Sequence, residues 1–123
     1  MQYDYPITCE AQVVVSFSTT SGEECTERDA VRIEKAFSDA GVCATNVACE
    51  DGIVYADLSL SFKDIVDIDC ERKFCEDAEQ DTCVWYENEV RAGGTDAFLE
   101  AVLAQCPNGY KVEVDYIDAV KVY

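Results

Sequence analysis

Cysteine and carboxylate are the side chains through which this sequence could do chemistry. It carries eight cysteines, 26 acidic residues against 9 basic ones, and no histidine, for a formal net charge of −17. Cys9, Cys25, Cys43, Cys49, Cys70, Cys75, Cys83 and Cys106 form an even set in a short chain, the pattern of a disulfide framework in a small extracellular domain. Structural zinc is the competing use of such thiols. Zinc knuckles usually contain a tight Cys-x-x-Cys pair, whereas the nearest spacings here are Cys70/Cys75 and Cys43/Cys49, so disulfides are the expectation. A nucleophilic thiol needs a neighbouring base or cation to lower its pKa. Without histidine there is no Ser-His or Cys-His couple, no histidine-ligated metal and no imidazole switch.

The carboxylates are densest between Asp64 and Asp81, where eight acids face only Arg72 and Lys73. Hard cations take oxygen ligands from such stretches, and Asp67, Asp69 and Glu71 would present three carboxylates to one side of an extended segment. These three are the candidate Ca²⁺ ligands. The EF-hand pattern with its central glycine is missing, and a solvated acidic loop is the simpler expectation; no other cofactor is expected. Paired acids could serve acid–base chemistry, but this many carboxylates will place some pair at a suitable distance by chance. No nucleophile-elbow or phosphate-loop motif accompanies them. Gly93-Gly94-Thr95-Asp96 reads as a hinge into a capped helix rather than an anion site, since Asp96 and the overall field repel phosphate. The same field argues against nucleic acid and anionic membranes. No apolar run reaches the roughly 20 residues of a membrane span. Met1–Pro6 lacks the basic and apolar regions of a signal peptide, so an extracellular location is expected from the cysteines alone.

The elements that must position these groups follow from periodicity. Ile7, Cys9, Ala11, Val13, Val15 and Phe17 alternate with mostly polar residues, predicting a half-buried strand over 7–19. Thr26-Glu27-Arg28-Asp29 is a helix-start signal, Ala30, Ile33, Phe37 and Ala40 recur at helical spacing, and Gly41 stands at the C-cap position. A strand over 43–49 turns through Glu50-Asp51-Gly52 into a third strand over 53–62. Thr95 caps a second helix carrying Leu99, Val102, Leu103 and Cys106 on one stripe, and Pro107-Asn108-Gly109 stops it. The last strand, 110–123, sets Val112, Val114, Tyr116, Val120 and Val122 inward. Asp118 falls on that same face and implies a bulge, a strand end or an exposed position.

The order is β-α-β-β, an irregular stretch over 63–94, then α-β. This is an α+β, ferredoxin-like arrangement: one antiparallel sheet, two helices on one face, and a cysteine-rich acidic insertion inside a single domain of residues 1–123. A short helix is expected within the insertion near Val84-Trp85-Tyr86. In that topology Cys25, Cys49 and Cys106 meet at one end of the sheet, with Cys9 and Cys43 at the other. An extended Cys43–Cys49 segment is too long for a bridge between its ends, so Cys25–Cys106 is the first pairing expected.

Arg32-Ile33-Glu34-Lys35-Ala36-Phe37 followed by Asp51-Gly52-Ile53-Val54-Tyr55-Ala56-Asp57-Leu58-Ser59-Leu60-Ser61-Phe62 resembles a SEA domain, in which an amphipathic helix precedes a hairpin and an alternating third strand. The resemblance covers about 35 residues and implies the ferredoxin-like fold. Ile53 stands where self-cleaving members carry serine, so their autoproteolysis is not expected. Small secreted cysteine-rich effectors and killer-toxin-like proteins share the same element order.

Helices on one face leave the other face of the sheet open. Ile53 and Tyr55 on that face, with Trp85 and Tyr86 of the insertion, are the candidate interface residues, aromatics being favoured anchors. The terminal strand is an expected sheet edge able to accept a strand from another chain. The function these features suggest is a non-catalytic, secreted, disulfide-stabilised interaction or structural module, partnered by another protein or by its own copies in an extracellular assembly. A secreted effector or toxin-like protein and an acidic Ca²⁺-binding protein are the alternatives.

Overall fold

The computed structural model describes residues 1–93 and 95–123; Gly94 of the hinge motif lies outside them. It is an α+β fold: a four-stranded antiparallel sheet in the order β2-β3-β1-β4, with three α-helices among the described residues. The strands are β1 (Gln2–Thr19), β2 (Cys43–Glu50), β3 (Ile53–Asp69) and β4 (Tyr110–Val122). The helices are α1 (Glu27–Asp39), α2 (Cys75–Arg91, preceded by a 3₁₀ turn over Arg72–Phe74) and α3 (Asp96–Ala104).

β1 and β3 form the spine, paired without interruption from Gln2 opposite Asp69 to Phe17 opposite Val54. Their alternation sends Cys9, Ala11, Val13, Val15 and Phe17 of β1 and Val54, Ala56, Leu58 and Leu60 of β3 into one core. Ala30, Ile33 and Phe37 of α1, Tyr86 and Val90 of α2, and Phe98 and Val102 of α3 join the same core. Phe17 stacks at a tilt on Phe37, and Phe62 on Phe98, with ring centroids 5.6 and 6.1 Å apart.

The helix ends follow local chemistry. At the start of α1 the Asp29 carboxylate accepts the Thr26 backbone N–H at 2.8 Å, closing the capping box. Gly41, with φ of 74°, ends α1 in a left-handed step that lets Val42 N–H reach the Phe37 carbonyl. Thr95 caps α3 by accepting from the Phe98 N–H. No helix among the described residues is long and apolar enough to cross a membrane.

The described residues of the 63–94 stretch do not form an irregular insertion. Residues 63–69 continue β3, and the proposed short helix is a 17-residue one. The alternation persists past Phe62, but Asp64 occupies an inward position, where the Tyr86 hydroxyl donates to it at 2.7 Å; a carboxylate so supplied can occupy a strand's inner face. In α2 only Tyr86 and Val90 are fully buried, too sparse a stripe to announce a helix by periodicity. Glu76 and Asp77 in its first turn and Arg91 in its last suit the helix dipole. A Cys70–Cys75 disulfide, Cα atoms 5.4 Å apart, fastens the end of β3 to the start of α2; closing so short a loop is worth about 2 kcal/mol on chain entropy.

β4 departs from simple alternation twice. Its pairing with β1 shifts between Gln12 and Val13 and again between Val14 and Val15, leaving Asp118 and Asp115 as the extra, bulged residues. The Asp118 bulge is one of the outcomes its sequence position implied. The Asp115 bulge reverses the expected side of its neighbours: Ile117 pairs opposite inward-facing Val13, while Tyr116 pairs opposite outward-facing Val14.

Candidate interaction surface

A further departure from expectation lies on α3. Its buried stripe is Phe98 and Val102, not Leu99, Val102 and Leu103. Two apolar stripes, Phe98/Val102 and Leu99/Leu103, run side by side at i,i+4 spacing, and only one can face the sheet. Phe98 meets Phe62 and wins the inner position. Leu99 and Leu103 are left 42% and 62% exposed.

These leucines, the Tyr116 ring and the start of β4 enclose an open, mainly apolar groove of about 830 Å³. Phe98 and Val102 line it from α3, Val112, Val114 and Ile117 from β4, and Arg91, Glu113 and Asp115 supply its charged groups. Tyr116, 59% exposed, also lines a small cleft on the outer sheet face with Val14, Asp57 and Asp118. It therefore turns the apolar surface around the sheet edge. β4 is an outermost strand, so the groove runs beside a row of backbone donors and acceptors that no strand among the described residues pairs. Asp115, whose carboxylate accepts from the Ser16 hydroxyl at 3.0 Å, sits on the rim.

The four candidate interface residues are not brought together. Tyr86 is a core residue, 2% exposed; burial first, and its hydrogen bond to Asp64 second, push its phenol pKa well up. This corrects its reading as a surface anchor. Trp85, 52% exposed, meets Tyr86 edge-on and lines a separate shallow groove with Val66 and Thr82. Ile53 and Tyr55 are half-buried on the outer side of β3, Tyr55 being flanked by Ser16 of β1 and Ala48 of β2.

Of the candidate Ca²⁺ ligands, Asp67 and Asp69 are exposed at the end of β3 and Glu71 lies beyond it. Asp67 stands opposite Asp4; sharing a hydrogen bond with that carboxylate, and repelled by its charge, it holds its proton above the usual carboxylate range. Asp69 pairs instead with the N-terminal ammonium at 3.8 Å. Among the described residues no group of three or more Cys, Asp or Glu side chains is placed to hold a metal ion.

Six cysteines are thiols in this structure: Cys9, Cys25, Cys43, Cys49, Cys83 and Cys106. Cys25 and Cys106 are not bridged; the Cys106 thiol donates to the Tyr110 carbonyl at 3.1 Å, within the turn joining α3 to β4. Cys49 instead donates to the Cys25 carbonyl at 3.2 Å. Cys9 is fully buried on β1, and burial, then Glu87 and Glu10, push its thiol pKa up to about 11. Cys43 is exposed on β2.

By sequence pattern Leu99, Val102, Leu103, Val112, Val114 and Tyr116 read as core, while β4 reads as an open edge; their meeting in one groove is not visible there. The signal that could have marked them is the doubled apolar stripe of α3, too wide for one face of a nine-residue helix. No family model, no curated protein and no solved structure matches this chain.

Proposed function

We propose that this chain is a non-catalytic interaction module that receives an extended, basic and apolar segment of a protein partner along β4 and the α3 groove. The observation that carries the reading is the coincidence of the Leu99/Leu103/Tyr116 groove with an unpaired sheet edge. Backbone groups of β4 would continue the sheet while alternate side chains of the added strand enter the groove. Charge selects the occupant: Glu113 and Asp115 line the groove, and a net charge of −17 opposes a second copy of this chain and favours a basic segment. The cysteine content and the Cys70–Cys75 bridge support work in an oxidising, extracellular setting. We read the strand order as ferredoxin-like, with α1 and α3 as its two helices and α2 as an added element; the same order underlies the likeness to SEA domains.

The test is binding of strand-forming peptides that alternate lysine with isoleucine or valine, followed by fluorescence anisotropy. A micromolar complex is expected, weakened at least tenfold by Leu103→Asp and unchanged by Val31→Asp, an exposed apolar position on α1. Equal affinity for the two variants, or equal binding of a glutamate-for-lysine peptide, would overturn the assignment. Sedimentation near physiological salt should show a monomer; a Leu103-dependent dimer would hand the groove to a second copy instead.

A further inference from the structure

A second cysteine pair is held in place by the fold. The segment between β1 and α1 docks on the β2–β3 hairpin, where the Cys25 N–H donates to the Gly52 carbonyl at 2.8 Å. Cys49 is on the same hairpin, opposite Val54, and its thiol contacts the Cys25 carbonyl at 3.2 Å. The Cys25 thiol turns toward the Phe17 carbonyl, 3.8 Å away, and Phe17 is itself paired with Val54. Both side chains therefore lie over one position of the inner sheet face. A sulfur–sulfur bond would require both side chains to leave these S–H···O=C contacts by rotation about χ1, whereas the Cys25–Gly52 hydrogen bond is made by backbone groups.

We propose that Cys25 and Cys49 are a disulfide-forming site, oxidised by exchange with a small-molecule disulfide. Cys49 is half-buried and Cys25 buried, so the exchange has an order. The Cys49 thiolate attacks the reagent, forming a mixed disulfide and expelling one small thiol. The Cys25 thiolate then attacks the Cys49 sulfur, forming the internal bond and expelling the second small thiol. Two protein thiols are oxidised and one reagent disulfide is reduced, and the two protons the protein thiols give up end on the two small thiols expelled. Burial, then Asp29 and Cys49, hold the Cys25 thiol above its ordinary pKa, so the second step quickens as pH rises. The product ties the entrance of α1 to the hairpin that leads into β3.

The experiment treats the full chain, with the Cys70–Cys75 bridge intact, with oxidised glutathione at mildly alkaline pH. A Cys43→Ser background removes the exposed thiol and leaves Cys49 as the one cysteine of its peptide, residues 35–50. Expected are a loss of two titratable thiols and two hydrogens of mass, and a Cys25–Cys49 peptide after cleavage at glutamate. Adding Cys25→Ser should halt the reaction at a stable glutathione adduct on Cys49. Adding Cys49→Ser should leave Cys25 unmodified in the native protein. Separate adducts on both cysteines, no change at either, or a bridge from Cys25 to Cys106 would overturn the assignment.

Discussion

Tyrosine, rather than lysine or arginine, answers several of the carboxylates in this chain. Tyr3 donates to Glu79, Tyr86 to Asp64, Tyr110 to Asp29 and Tyr123 to Glu10, whereas the ion pairs found among the described residues are Met1–Asp69 and Arg91–Glu87. A phenol satisfies a carboxylate only while protonated, so these contacts have a pH dependence of definite sign. The hydrogen bond to Glu79 raises the Tyr3 pKa from 10.0 to about 12. Tyr5, Tyr110 and Tyr123 are raised as well, the first two chiefly by burial and Tyr123 chiefly by its bond to Glu10. Groups whose folded pKa lies above the unfolded value stabilise the fold fully below the unfolded pKa and lose that contribution as pH rises through the folded one. The urea midpoint should therefore fall between about pH 9.5 and 12, and native tyrosine absorbance should titrate later than in urea. Coincident titration curves would refute this. On the acid side Asp29, held low by Tyr110 and the Thr26 N–H, stabilises above the ordinary aspartate range and stops doing so as pH falls through its folded pKa. Asp67, raised by Asp4, works in the opposite sense.

At the scale of elements, the β2–β3 turn is the most exacting piece of backbone. Asp51 and Gly52 have φ of 52° and 80°, the paired left-handed conformation of a two-residue hairpin that Asp-Gly adopts readily. A Cβ built on Gly52 would stand 3.0 Å from Glu24 Cβ. Gly52→Ala should therefore cost about 1–3 kcal/mol through the left-handed φ alone, read as a lowered urea midpoint, while the Asp51→Asn variant should stay near wild type. That turn was legible in the sequence, as were β1, α1 with its Thr26–Asp29 cap, and the Asp118 irregularity, because each is set by neighbours within a few residues. What escaped depends on partners far along the chain. Asp64 looked like the end of a strand until Tyr86, 22 residues on, supplied its hydrogen bond. Leu99 and Leu103 looked like core until Phe62 claimed Phe98. Tyr116 changed sides because Asp115 bulged. The candidate site is made almost entirely of such choices between locally equal options, so its groove is not encoded in any local pattern as the cysteines and acids are.

The whole molecule carries its charge of −17 with little internal compensation. Repulsion of that kind disfavours the compact state and is screened by salt. Raising NaCl from about 0.02 to 0.5 M should lift the melting temperature by roughly 3–6 °C, equivalent to about 1 kcal/mol; a fall would show that unrecognised ion pairs dominate. Salt should have the reverse effect on the proposed capture of a basic segment, so stability and binding are expected to move oppositely along one salt titration. The two bulges of β4 set a further limit. With Asp115 and Asp118 acting as stops, the unbroken edge below them is Tyr110–Val114, about 17 Å long at 3.4 Å per residue. A ladder that short gives brief residence, since affinity differences are expressed mainly in release. Firm attachment would then come from several modules engaging one repetitive partner at once, each free to let go without the array coming loose.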